Sequence, residues 1–132
     1  MASPRKRTKT QSGKTYVDGF VLCVPKNNRA KYKKLASEAA VVWKKFGALD
    51  YKECRMNDPQ PKFVTFTFPK MAKAKPDEEV WFSYIVFASK KERNRINKEV
   101  MQYFEEKYGD GPQEMPFDMK RFAYGGFSVE VE

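Results

Sequence analysis

Val80-Trp81-Phe82-Ser83-Tyr84-Ile85-Val86-Phe87 is the stretch that decides the fold. All of it but Ser83 is apolar or aromatic, and β-branched and ring side chains dominate. As a strand it shows Val80, Phe82, Tyr84 and Val86 on one side and Trp81, Ile85 and Phe87 on the other. An apolar run this short, followed by a helix signal, describes a strand buried on both faces. Each face therefore needs a cover, and the covers define the architecture.

Toward the C-terminus, Ser89-Lys90-Lys91-Glu92 has the form of a capping box, in which the serine accepts from an unpaired helical N–H and the glutamate reaches back. The helix it opens buries Ile96, Val100, Tyr103 and Phe104 and stops at Gly109. A loop from Gly111-Pro112 through Met115-Pro116-Phe117 leads to a last strand over Arg121 to Glu130. Gly125-Gly126 in its middle reads as a bulge or a close backbone contact.

Toward the N-terminus, Tyr16 to Val24 alternates as a strand that ends at Pro25. Its broad face carries Tyr16, Asp18, Phe20, Leu22 and Val24; its slim face carries Val17, Gly19, Val21 and Cys23, with Gly19 leaving room for a helix or ligand. Asn27 or Asn28 offers an N-cap. Tyr32, Leu35, Ala36, Ala39, Trp43 and Phe46 recur at helical spacing, which predicts an amphipathic helix over Arg29 to Phe46 with lysines outside and Gly47 as its stop. Leu49 to Met56 mixes polar and apolar residues, as an edge strand does. Phe63 to Phe68 reads as a short extra strand, and Pro69 to Lys75 as a single helical turn.

The order β-α-β-β-α-β predicts an α+β fold, the ferredoxin-like sandwich, with an antiparallel sheet in order 4-1-3-2 and two helices on one face. Strands one and three are then central, as their greasiness requires. Helices cover one face only, so a second copy packed sheet to sheet is the economical cover for the other. A homodimer is expected.

Composition narrows function mainly by exclusion. The 132 residues suit one domain, taken as 15–132 behind a basic tail at 1–14,. Net charge is +9, but Arg5, Lys6, Arg7, Lys9 and Lys14 hold more than half of it. A basic tail and the lysine face of the first helix, Lys31, Lys33, Lys34, Lys44 and Lys45, make nucleic acid the alternative partner. There is no histidine, which removes His-based triads and the usual zinc and haem sites,. No metal and no cofactor is expected. Cys23 and Cys54 read as small buried hydrophobes; in the 4-1-3-2 order they lie two strands apart, about 9–10 Å, and stay reduced. No apolar run reaches the roughly 18 residues of a membrane span, and the first residues lack the apolar core of a secretory signal, so a cytoplasmic protein is expected.

Tyr16-Val17-Asp18-Gly19-Phe20-Val21, Gly47-Ala48-Leu49-Asp50-Tyr51, Glu53-Cys54 and Lys73-Ala74-Lys75-Pro76 together resemble the YbaA-like family of uncharacterised bacterial proteins. So do Phe82-Ser83-Tyr84-Ile85-Val86, Asn97 with Val100-Met101, Met115-Pro116-Phe117-Asp118, Lys120-Arg121 and Tyr124-Gly125-Gly126-Phe127. The match runs from about Tyr16 onward; the basic tail and Gln102 to Gln113 depart from it. What the resemblance implies is a dimeric α+β barrel, a ferredoxin-like unit paired sheet to sheet. That superfamily includes small monooxygenases, haem-degrading proteins, dehalogenase-like enzymes and stress-response barrels, whose pockets lie between sheet and helices. The family's role is not established, and fold does not carry function.

Candidate chemistry comes from polar residues on apolar elements. Asp18 and Ser83 sit inside central strands, where a carboxylate must be paired; Arg121 or Lys120 is its expected partner. Trp43, Trp81, Tyr84 and Asn97 are the types that furnish an apolar cavity with a few polar groups. The plainer reading makes those aromatics core and leaves Asn97 in water. Asp18, Trp43, Trp81, Ser83, Tyr84, Asn97, Arg121 and Tyr124 are the candidate pocket residues, for a small apolar molecule. Glu53, on the edge strand, reads as a solvated partner for lysine. No catalytic group can be named, and Tyr124-Gly125-Gly126-Phe127 lacks the strand–turn–helix setting of a phosphate loop.

Overall fold

The computed structural model describes residues 14–111 and 113–132. The basic tail, apart from Lys14, lies outside the described residues, and Lys14 pairs with Glu130 at 2.6 Å.

Among the described residues four strands form one antiparallel sheet: β1, Tyr16–Pro25; β2, Asp50–Arg55; β3, Glu78–Phe87; and β4, Ala123–Ser128. Their order is β2-β3-β1-β4, the expected 4-1-3-2 read from the other edge. β1 and β3 pair along their whole lengths, from Tyr16 with Phe87 to Pro25 with Glu78. Three α-helices among the described residues accompany the sheet: α1, Arg29–Lys45; the short α2, Phe68–Ala72; and α3, Lys90–Tyr108.

Alternation gives the sheet a helix face and an opposite face. On the helix face Phe87 meets Ile96 and Val100 of α3, while Leu22 and Val24 lie under α1 with Tyr32; these side chains are buried. Burying each such side chain contributes about 1.5–3 kcal/mol. Trp81 packs edge-on against Tyr32 of α1, with ring centres 5.1 Å apart. The core is divided: one cluster under α3 centres on Ile85, Phe87, Ile96 and Val100, another under α1 on Leu22, Val24, Tyr32 and Trp81. The gap between the two clusters frames the site described below.

The opposite face is covered only at one end. There α2 lays Ala72 against Cys23 and Val80. Cys23 is buried and its thiol points to the Ala72 carbonyl at 3.6 Å, whereas Cys54 is exposed rather than buried; both are free. Elsewhere on this face Phe82 and Phe127 remain 45% and 59% exposed.

Several local expectations change. Residues 63–68 form no strand: the segment turns through Phe63, whose φ is 69°, and Thr67 caps α2 by accepting from the Lys70 N–H. Prolines on either side of this stretch deny it a regular ladder. The last strand begins at Ala123, because Met119–Arg121 is a 3-10 turn capped by Asp118. β2 is two residues shorter than Leu49 to Met56, although Leu49 N–H and Met56 N–H still donate to Val86 and Val80 carbonyls. Ser89 caps α3 through the Glu92 N–H at 3.1 Å, but Glu92 turns to Arg95 instead of reaching back. Asn28 occupies the N-cap position of α1 without capping it; its amide donates to the Pro116 carbonyl at 3.1 Å and tethers the loop before β4.

Gly125 and Gly126 pair in unbroken register with Gly19 and Asp18, so there is no bulge. Gly126 is a close contact: a Cβ there would collide with Arg93 and stand 2.5 Å from the Tyr16 hydroxyl. The space over Gly19 is filled by the Phe127 ring, 3.3 Å from where its Cβ would be, and not by a helix or ligand. Among the described residues no helix is long and apolar enough to cross a membrane.

Candidate functional site

The sheet's helix face and the two long helices diverge around a cavity of about 1100 Å³. Its floor is Phe20, Tyr51, Glu53, Ser83 and Ile85; α1 contributes Leu35, Ala39 and Trp43, α3 contributes Met101 and Phe104, and residues 109–111 with 113–115 and Phe117 form a further wall. Helical spacing turns Leu35, Ala39 and Trp43 toward the sheet, but Ala39 is too small to fill the gap between the core clusters. Leu35 is left 38% exposed as a result.

Glu53 is the polar centre of this floor. Tyr51 and Glu53, two residues apart on β2, share a face, and Ser83 is opposite Glu53 in the β2–β3 register. The Tyr32 hydroxyl donates to Glu53 Oε1 at 2.7 Å and the Tyr51 hydroxyl to Oε2 at 2.8 Å. Burial raises the Glu53 carboxyl above the usual carboxylate range, while the hydroxyls of Tyr32, Tyr51 and Ser83 pull it back,. Burial, with the charge of Glu53 next, pushes both phenols far above their ordinary value. The two tyrosines are thus fixed as donors, and Glu53 is the group here that can take up or return a proton. The expectation of a solvated Glu53 paired with lysine is overturned: the edge strand turns this residue inward, toward α1.

A second polar chain braces the cavity wall from behind. Trp43 Nε1–H donates to Asn97 at 2.9 Å, and Asn97 donates to Asp18 Oδ2 at 3.3 Å. Arg93 donates to Asp18 Oδ1 at 3.1 Å and lies over the Tyr16 ring. Asp18 is therefore paired, but with Arg93 of α3, and Asn97 is bonded at both ends of its amide, not left to water. Arg121 serves elsewhere: it grips Glu78 through both terminal nitrogens, at 2.6 and 2.7 Å, and Asp118 at 3.0 Å, fastening the loop before β4 to the start of β3. Lys120 gives its backbone N–H to Asp118.

Of the eight candidate pocket residues, Trp43 and Ser83 line the cavity. Asp18 and Asn97 stand behind Trp43. Trp81 is core, with its indole N–H making no well-formed hydrogen bond among the described residues, though it faces Glu79 and helps hold that carboxylate ionised. Tyr84 is on the opposite face, beside Phe82. Tyr124 stacks on Phe20 at 5.0 Å on the outer edge. Sequence reasoning missed Glu53, Tyr51 and Tyr32; the available signal was Tyr51 and Glu53 sharing one strand face opposite Ser83.

Among the described residues no group of His, Cys, Asp and Glu side chains could hold a metal ion. The chain is 41% identical over 117 residues to the uncharacterised protein YbaA of Escherichia coli K12, covering 89% of this chain and 97% of that protein. The same identity and coverage hold for the uncharacterised protein YbaA of Shigella flexneri. Residues 15–119 match the family described as protein of unknown function, DUF1428. That match includes the cavity floor, Glu53 and both of its tyrosines, and the chain belongs to the DUF1428 family.

Proposed function

We propose that this protein is a ferredoxin-like domain that holds a small, largely apolar molecule between its sheet and its two long helices. The observation that carries this reading is the cavity of about 1100 Å³, whose floor and helix walls are aromatic and aliphatic side chains around Glu53 and its hydroxyls, with further charges at its rim. Ligand pockets have this makeup, an apolar lining with a few convergent polar groups, and sizes of about 300–1,000 Å³. Ala39 stands in the wall with only a methyl group to offer. Native mass spectrometry of protein purified without denaturant is expected to reveal a retained small molecule, absent from an Ala39→Trp protein whose indole fills the space. A bare mass in both, with no uptake of an apolar dye by either, overturns the reading.

A second copy is the proposed cover of the opposite face, giving a dimeric α+β barrel. The uncovered part of the sheet measures about 19 by 17 Å from strand spacing and rise. A stable interface takes about 800 Å² from each partner, so the sheet alone falls short. Next to it, around α2, Phe66, Phe68 and Met71 are exposed as well. Sheet and segment together offer the area, which makes 63–71 part of the proposed contact.

A further inference from the structure

We infer that the molecule taken by the cavity carries a protonated amine, selected by Glu53; this rests on the cavity reading above.

The pairing pattern of the acids supports it. Every other carboxylate that is buried or half-buried among the described residues has a lysine or arginine within 4.0 Å: Asp18 has Arg93, Glu78 has Arg121, Glu79 has Arg29, and the rest follow suit. Glu53 alone has none. Its partners are neutral hydroxyls: Tyr32 and Tyr51 each donate to one oxygen, and Ser83 stands beside them. A carboxylate oxygen accepts more than one hydrogen bond, so both retain capacity toward the cavity. A carboxylate half-withdrawn from water and left without a counter-charge is disfavoured,. An ammonium group arriving from the cavity supplies the charge and the donors together.

The surrounding side chains suit the same guest. Trp43 and Tyr51, with ring centres 6.0 Å apart, and Phe104 beyond Trp43 present π-systems to whatever approaches Glu53. Aromatic faces attract a cation and repel an anion. Lys31, Lys34 and Lys98 also border the cavity, but they are exposed and accompanied there by Glu38 and Glu105. Rim charges of both signs in water are screened; the half-buried charge of Glu53 is screened less,. Selectivity therefore belongs to Glu53, and an amine on an apolar body fits better than an alcohol or acid of the same shape.

Three probes of matched shape test this: naphthylethylamine, naphthylethanol and naphthylacetate, titrated by calorimetry at neutral pH. The amine is expected to bind about tenfold or more tightly than the alcohol, the size of a hydrogen bond to a charged group. In Glu53→Gln that preference should vanish. Tyr51→Phe, which keeps the carboxylate and removes one hydroxyl, should retain or increase it. In the unsubstituted protein the Glu53 carboxyl carbon resonance should move with the amine and not with the alcohol. Equal binding of all three, tighter binding of the acid, or a preference that persists in Glu53→Gln overturns the amine inference and leaves the cavity reading standing. Failure of all three to bind overturns both.

Discussion

Glu53 gains hydroxyl partners on folding but no cation among the described residues, and burial holds its carboxyl above the usual range. The carboxyl thus binds its proton more tightly in the folded chain than in the unfolded one. Its contribution to stability is full at pH below the unfolded Glu value and is lost as pH rises through the folded one. Glu53→Gln, nearly the same shape and always neutral, is therefore expected to melt higher than the parent at pH 8. The two melting curves should converge by pH 4, as scanning calorimetry would show; a parent that is the more stable at pH 8 contradicts the placement of this charge. Asp18 is the opposite case, with 1% exposure and a cation in place. Asp18→Ala strands Arg93 and unties Asn97 from β1. Loss of one partner of a buried pair costs about 3–5 kcal/mol, to be read from denaturant unfolding.

At the scale of elements, the paired glycines of β4 make a sharp contrast. Gly126→Ala places a methyl group into Arg93 and the Tyr16 ring, and overpacking of this kind costs about 1–3 kcal/mol,. Gly125→Ala meets only the Phe127 ring at 3.6 Å, an ordinary contact, and should leave stability within about 0.5 kcal/mol of the parent,. Equal effects of the two substitutions in urea titrations would refute the close contact at Gly126. Ser89→Ala, which removes the cap of α3, should cost about 1 kcal/mol,. These elements were largely legible in the sequence, because a period of two or of 3.6 over eight or more residues is hard to mistake: β1, β3, α1 and α3 fall where Val80–Phe87 and its flanks place them. Partner choice was not legible. Asp18 alternates onto the buried face by pattern alone, but that Arg93 meets it, and not Arg121, depends on how α3 crosses the sheet. Glu53 was misread for a related reason: mixed polarity marks an edge strand without saying which of its faces a helix covers. The extra strand at Phe63–Phe68 failed because alternation over so few residues between prolines is weak evidence for a ladder.

For the whole molecule, the open sheet face and the apolar segment around α2 decide the assembly. If a second copy covers them, Phe82→Lys on the central strand puts two charges into one interface by symmetry. Sedimentation velocity should then find the parent at twice the chain mass and the variant at the chain mass, with the cavity probes still bound, since Glu53 is on the other side of the sheet. A parent that sediments as a single chain ends the dimer proposal and leaves the cavity untouched. The two tryptophans have a further use. Trp43 stands in the cavity wall, bonded through its indole N–H to Asn97, while Trp81 is sealed in the core against Tyr32. Emission from Trp43 is therefore expected to change with the occupant, and emission from Trp81 to stay as it is. The protein carries its own titration dye and its own internal standard, and quenching by iodide should tell the two apart before any label is attached.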